Sequence, residues 1–182
     1  MGQKRCSWCN LKNPAYVDYH DHHWGNPVTD DRVLLEYLIL ESFQAGLSWE
    51  IILNKRSGFR DAFARYDASA ICGFDQMRIE ALMQDASIVR NRRKLEAAVS
   101  NTRAFCRIQE EWGSFGAYIW HFTEGKTVYE TGKTRSELSD RVSKDLKRRG
   151  MTFVGSTTVY SYLQAVGIIN SHEEGCFLHK QC

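Results

Sequence analysis

Hydrophobic residues recur three and four positions apart in segment after segment, the spacing that gives an α-helix one apolar face. In "DRVLLEYLILESFQAG" (31–46) the pattern opens after Thr29 and Asp30, both able to cap a helix start, and closes at Gly46. "IEALMQDA" (79–86) and "RKLEAAVSNTRAFCRIQEEWG" (93–113) read as two further helices, the second long and ending at Gly113. "SELSDRVSKDLKRRG" (136–150) sets Leu138, Val142 and Leu146 on one face, basic residues on the other, and Gly150 at its end. "STTVYSYLQAVG" (156–167) has Ser156 as a candidate N-cap and Gly167 as a stop. The segment 123–135, "TEGKTVYETGKTR", is polar and β-leaning and reads as a long loop or a small hairpin. Pro14 and Pro27 are the only prolines, so nothing later in the chain forbids long helices. These patterns predict an all-α fold of about eight helices.

Composition narrows this little. The chain has 182 residues, 43% hydrophobic and 25% charged, ordinary for a globular protein with a real core. No apolar run approaches the ~18 residues of a membrane span, and "MGQKRCSWCN" has no apolar stretch resembling a secretory signal, so the expected location is the cytoplasm with no membrane partner. The net charge of +2 permits a nucleic-acid partner without demanding one. Distribution says more. The clusters "RNRRK" (90–94) and "KDLKRR" (144–149) can bind phosphates locally.

Six cysteines in a reducing compartment point to burial or metal binding rather than disulfides. Cys72 and Cys106, inside helical segments, read as small core residues. The soft ligands gather at the two ends: Cys6, Cys9, His20, His22 and His23 on one side, His172, Cys176, His179 and Cys182 on the other. In "HEEGC" the H-x3-C spacing would put both side chains on one face of a helix. Four such ligands could hold a tetrahedral zinc and staple the two ends, though about 150 residues separate them and spacing leaves the choice of four open. Cys6 and Cys9 form a CxxC, which offers a redox reading, but no strand pattern precedes it.

Glu41 breaks the apolar face of 31–46. Leu34, Leu38 and Ala45 share that face, so the carboxylate is either a rim residue paired with a nearby cation or a buried acceptor for a donor or cationic ligand. Trp8, Tyr16, Tyr19, Trp24 and Trp49 lie in the same part of the chain. Aromatic faces around one carboxylate suit a flat cationic or amine-bearing ring.

Taken together, "YHDHHWG" (19–25), "LESFQAGLSW" (40–49), "KRRGMTFVGSTTVYSYLQAVG" (147–167) and "HEEGC" (172–176) resemble the 3-methyladenine DNA glycosylase I family, in the family's order and from Cys6 to Cys176. The resemblance implies a single glycosylase fold of the helix-hairpin-helix superfamily over 1–182, with the helical hairpin at about 79–110 and a subdomain built from both termini. It implies hydrolytic removal of N3-methyladenine from alkylated double-stranded DNA, without strand cleavage, by a monomer that releases free 3-methyladenine. It implies one structural zinc held by Cys6, His20, His172 and Cys176, leaving Cys9, His22, His23, His179 and Cys182 as bystanders. Glu41 matches the carboxylate that contacts the flipped base, Tyr19 a hydrogen-bonding tyrosine, and Trp49 the stacking tryptophan. Trp8 and Tyr16 match further pocket aromatics, and Gly46 and Leu47 the turn inserted into the duplex. The hairpin offers Arg90, Arg92, Arg93 and Lys94 for phosphates. Two departures stand out: Ser87 in "SIVRNRRK" stands where this family commonly has glycine, which implies an altered turn, and the catalytic aspartate that often follows the hairpin in the wider superfamily is missing, as is normal for this family. The same aromatics and basic clusters would also serve a non-catalytic, zinc-stapled module that binds damaged DNA.

Overall fold

The computed structural model describes residues 3–179, and they are mostly helical. In chain order the α-helices are α1 (Pro14–Asp18), α2 (Asp31–Gln44), α3 (Trp49–Asn54), α4 (Arg56–Ala62), α5 (Ala68–Cys72), α6 (Gln76–Gln84), α7 (Arg92–Trp112), α8 (Phe115–His121), α9 (Glu137–Arg148) and α10 (Ser156–Ala165). A π-helical turn, Tyr19–His23, follows α1. The expected eight become ten because short helices α1, α3, α4 and α5 carry too few turns to display a period.

Side-chain caps set most starts. Asp30 accepts from the amides of Arg32 and Val33 at 2.9 and 3.1 Å, Ser48 caps α3, Asn91 caps α7 and Ser136 caps α9. Ser156 is not the cap expected at α10. Gly155 is, and the Ser156 hydroxyl instead bonds Asp140 and Ser139 on α9. Helix α7 ends at Gly113 with φ of 81°, the left-handed stop its sequence predicts.

Helix α2 is the axis of the molecule. Leu34, Leu35 and the continuous run 37–43 are all buried, so it has no solvent face over that stretch. Helices α7 and α10 pack on opposite requirements of the same core: α7 buries one stripe of a polar helix, α10 buries Val159, Tyr160, Tyr162 and Leu163.

The segment 123–135 is not a hairpin. Its strand β1 (Val128–Tyr129) pairs in parallel with β2 (Ile169–Asn170), whose partner lies some forty residues on. Parallel pairing across such a distance leaves no local turn signal. Gly167, just before β2, has φ of 72°, and a Cβ there would lie 2.2 Å from the Asn26 carbonyl carbon. That close approach lets the 25–28 segment bond the end of α10, with Gly25 N–H donating to Gln164 O and Val28 N–H to Val166 O. Residues 172–176 form turns rather than the helix their spacing suggested. Cys72 and Cys106 are only half-buried, with sulfurs 3.3 Å apart across α5 and α7. No helix among the described residues is long and apolar enough to cross a membrane.

Candidate functional site

A pocket of about 350 Å³ opens beside α2. Glu41 and Gln44 enter from α2, Trp49 from the start of α3, Ser161 and Gln164 from α10. Tyr16, Tyr19 and Trp24 come from α1, the π-helical turn and the residue after it, and Trp8 from the segment before α1. The rings brace one another: Trp8 lies 4.7 Å from Trp24, edge-on, and 5.8 Å from Tyr16, while Tyr19 lies 5.2 Å from Trp49. Glu50 ties the two groups, accepting from the side-chain amides of Asn10 at 2.7 Å and Asn13 at 2.9 Å.

Glu41 is 3% exposed and lines this pocket. Burial alone pushes its carboxyl up to about 8, with no donor or cation among the described residues offsetting it. The rim-residue reading of Glu41 therefore gives way to a buried acceptor without a partner. Burial likewise raises the hydroxyls of Tyr19 and Tyr16, so both remain neutral donors.

The turn after α2 is built for projection. Gly46 has φ of 80° and no atom within 4 Å of where a Cβ would sit. Leu47 beside it is half-buried, held by its own N–H to Gln44 O at 2.7 Å and by Gln44 Nε2 to Leu47 O at 2.9 Å. Lys94, expected to face phosphates, points inward. It is 8% exposed, and its Nζ donates to Phe43 O at 2.8 Å and Ala45 O at 2.6 Å. It caps the C-terminus of α2 and fastens the projecting turn to α7.

Residues 85–91 join α6 to α7. Arg90 and Arg93 are exposed there, and Arg92 is bonded to Glu80 at 2.6 Å. Ser87 bends without a left-handed backbone, its N–H and hydroxyl both donating to Asp85. The space for it comes from Gly58, where a Cβ would meet Ser87 O at 2.5 Å. Lys55 Nζ, just before α4, also donates to Ala86 O at 2.7 Å and grips the turn from behind.

Cys6, His20, His172 and Cys176 are all buried, and their ligand atoms lie within 4.8 Å of one another. Cys6 Sγ to His172 Nδ1 is 3.5 Å, Cys176 Sγ to His20 Nε2 3.5 Å and Cys176 Sγ to His172 Nδ1 3.6 Å. Sulfur and nitrogen on one tetrahedral zinc stand about 3.5 Å apart, so the set fits such an ion. Each imidazole has its other nitrogen occupied. His20 Nδ1 faces Asp21 at 2.8 Å, and His172 Nε2 faces Trp24 O at 3.2 Å, which turns His20 Nε2 and His172 Nδ1 toward the cluster, the former also accepting from Cys6 N–H at 3.2 Å. Arg5 beside Asp21 lowers that carboxyl to about 2, and Glu173 N–H donates to Cys6 Sγ. Burial pushes the Cys6 thiol up to about 12 and the His172 ring down to about 4, so a bound cation is what would make the Cys6 thiolate tenable here. Cys9 stays outside, packed on Tyr16 O. His22 pairs with Asp18, and His179 bonds His172 O from behind. Cys182 lies outside the described residues.

Sequence reasoning did not anticipate Gln44, Ser161, Gln164, Ser171 or Lys133 as pocket residues. Their signal is weak: polar residues one turn apart on α10, and a lysine in a polar loop.

The profile of the methyladenine glycosylase family matches residues 8–179. DNA-3-methyladenine glycosylase 1 of Escherichia coli K12 is 38% identical over 179 residues, covering 95% of each chain. A crystal structure of 3-methyladenine DNA glycosylase I superposes with a TM-score of 0.93 at 39% identity, covering 97% of this chain and 100% of that one. A second structure, of 3-methyladenine recognition by the Staphylococcus aureus enzyme, gives 0.92 at 34% identity, covering 97% of each.

Proposed function

Because the chain belongs to the methyladenine glycosylase family, we propose that it excises N3-methyladenine from alkylated double-stranded DNA and releases the free base. The observation that carries this reading is Glu41: a buried carboxylate without a partner, set among aromatic rings. N3-methyladenine in DNA is a flat cation with an exocyclic amine. Stacking on Trp49 favours a cationic ring by roughly 0.5–2 kcal/mol. Glu41 accepts from the amine, and the incoming charge draws its proton off. A neutral base offers no such relief, so it enters less readily.

The base must leave the duplex to reach the pocket, at a cost of a few kcal/mol. Leu47 fills the gap it leaves, with Gly46 allowing the backbone to approach. Helices α6 and α7 with the intervening turn form the helix-hairpin-helix element, and Arg90, Arg93 and the more weakly available Arg92 meet phosphates. Lys94 acts behind this surface by holding the Leu47 turn.

Hydrolysis itself asks little of the protein. Water adds its oxygen to C1′ and gives up one proton. The electron pair of the bond between base and sugar stays with the base, which departs neutral. No lysine nucleophile is required, and the strand remains intact. Cys6, His20, His172 and Cys176 would hold one zinc with every position filled, supplying cross-linking of the two chain ends rather than a reactive water.

Incubating the protein with methylated duplex and measuring release of 3-methyladenine, 7-methylguanine and hypoxanthine tests this. Release of 3-methyladenine in clear preference is expected. Tight binding to methylated DNA without release of any base would instead establish a damage-binding module.

A further inference from the structure

Resting on that reading, we propose that Lys133 is a positioning residue that binds the phosphodiester flanking the flipped nucleotide. Parallel pairing of β1 with β2 carries the loop after Tyr129 to the pocket, where the exposed Gly132 and Lys133 form part of its lining. Three charged side chains line the pocket among the described residues. Glu41 is buried in its wall, and Glu173 is taken up by the backbone and hydroxyl of Ser7, at 2.6 and 2.7 Å. Lys133 is the one cation.

Its sign decides its ligand. A cationic base is repelled by an ammonium, so Lys133 does not belong to base recognition. The other part of the substrate at the rim is anionic. Flipping turns a nucleotide about its backbone and brings its phosphates to the pocket entrance. Lys133 is built to meet one. Its side chain is 51% exposed, and its Nζ rests on Glu130 Oε2 at 2.5 Å. Its ammonium end stays open to solvent, which screens the single contact to Glu130, so the ammonium transfers to a phosphate readily. Glu130 itself is fixed: its side chain is 13% exposed, and its Oε1 is buried near the equally buried hydroxyls of Tyr160 and Ser171. It parks Lys133 at the rim before DNA arrives and keeps the ammonium from drifting over Glu41.

The test compares wild type, Lys133→Gln and Lys133→Arg in single-turnover excision from methylated duplex across a salt series, and in binding of free 3-methyladenine followed by tryptophan fluorescence. Lys133→Gln should slow excision about tenfold and flatten the log–log salt slope by about one, with Lys133→Arg restoring most of both. Affinity for the free base should be unchanged. Unaltered excision and salt slope in Lys133→Gln, beside an active wild type, overturn the phosphate role alone. Altered affinity for the free base overturns it in favour of base recognition. A wild type that releases no base overturns the glycosylase reading itself.

Discussion

The indole of Trp24 meets the imidazole of His172 edge-on, with ring centroids 4.7 Å apart. Trp24 lines the pocket beside Glu41 and His172 belongs to the Cys6, His20, His172 and Cys176 group, so the two sites share a wall. Trp8 makes a similar contact with His20 at 5.3 Å. Whatever disorders the cluster therefore disorders the pocket.

Metal analysis of the purified protein should give about one zinc per chain, and Cys9→Ser should retain it. Cys176→Ser should lose it, lower the melting temperature, and abolish excision through loss of the Trp8 and Trp24 wall. Retention of zinc by Cys176→Ser, measured by elemental analysis, would remove Cys176 from the ligand set.

Glu41→Gln should fold and lose most excision activity, since an amide cannot supply the charge that a cationic base requires. Its stability should show the reason. In the unfolded chain the carboxyl ionises near 4.5, in the fold near 8. Between these values the folded chain retains the proton. The stability from a neutral Glu41 is therefore complete below about pH 4.5 and is lost as pH rises through about 8. Denaturant unfolding from pH 5 to 9 should show wild type falling behind Glu41→Gln by a few kcal/mol. Parallel curves for the two proteins would contradict the buried, unpartnered carboxyl.

Lys94→Met should keep the apolar stem in place and remove both bonds to the end of α2. A loss of about 1–3 kcal/mol in stability is expected. Excision should fall more than free-base binding, because the Leu47 turn is loosened while the pocket remains. Equal losses in the two assays would mean that Lys94 only supports the core.

Arg93→Gln should weaken binding to duplexes of every sequence and reduce the salt slope by about one. Arg92→Gln should do less, because Glu80 already holds that guanidinium. Binding measured on methylated and unmethylated duplexes at several salt concentrations separates the two. An effect confined to one sequence would exclude a phosphate contact.

The long helices were legible because their signals are local: Asp30, Gly113 and Gly150 act within one turn of the ends they mark. The β1–β2 pair was not, since two-residue strands carry no alternation and the partner is remote. Lys94 shows the limit of reading charge from sequence. It sits in a basic cluster beside exposed Arg93, yet the two carbonyls that turn it inward belong to α2. The ligand set was legible only through family resemblance, because tertiary contacts, not spacing, bring His172 to Cys6. Likewise the close approach of Gly58, in another helix, to Ser87 could not be read from "SIVRNRRK".

Cys6 and His172 are 166 residues apart, yet their ligand atoms lie 3.5 Å from each other. During synthesis Cys6 and His20 emerge close together, but the set stays half-complete until His172 and Cys176 have been made. The aromatic wall leaning on that cluster is thus not fully braced until they arrive. A nascent or prematurely terminated chain would carry the basic turn but not a finished pocket. It could touch the genome, but it would have no complete cavity in which to hold a base.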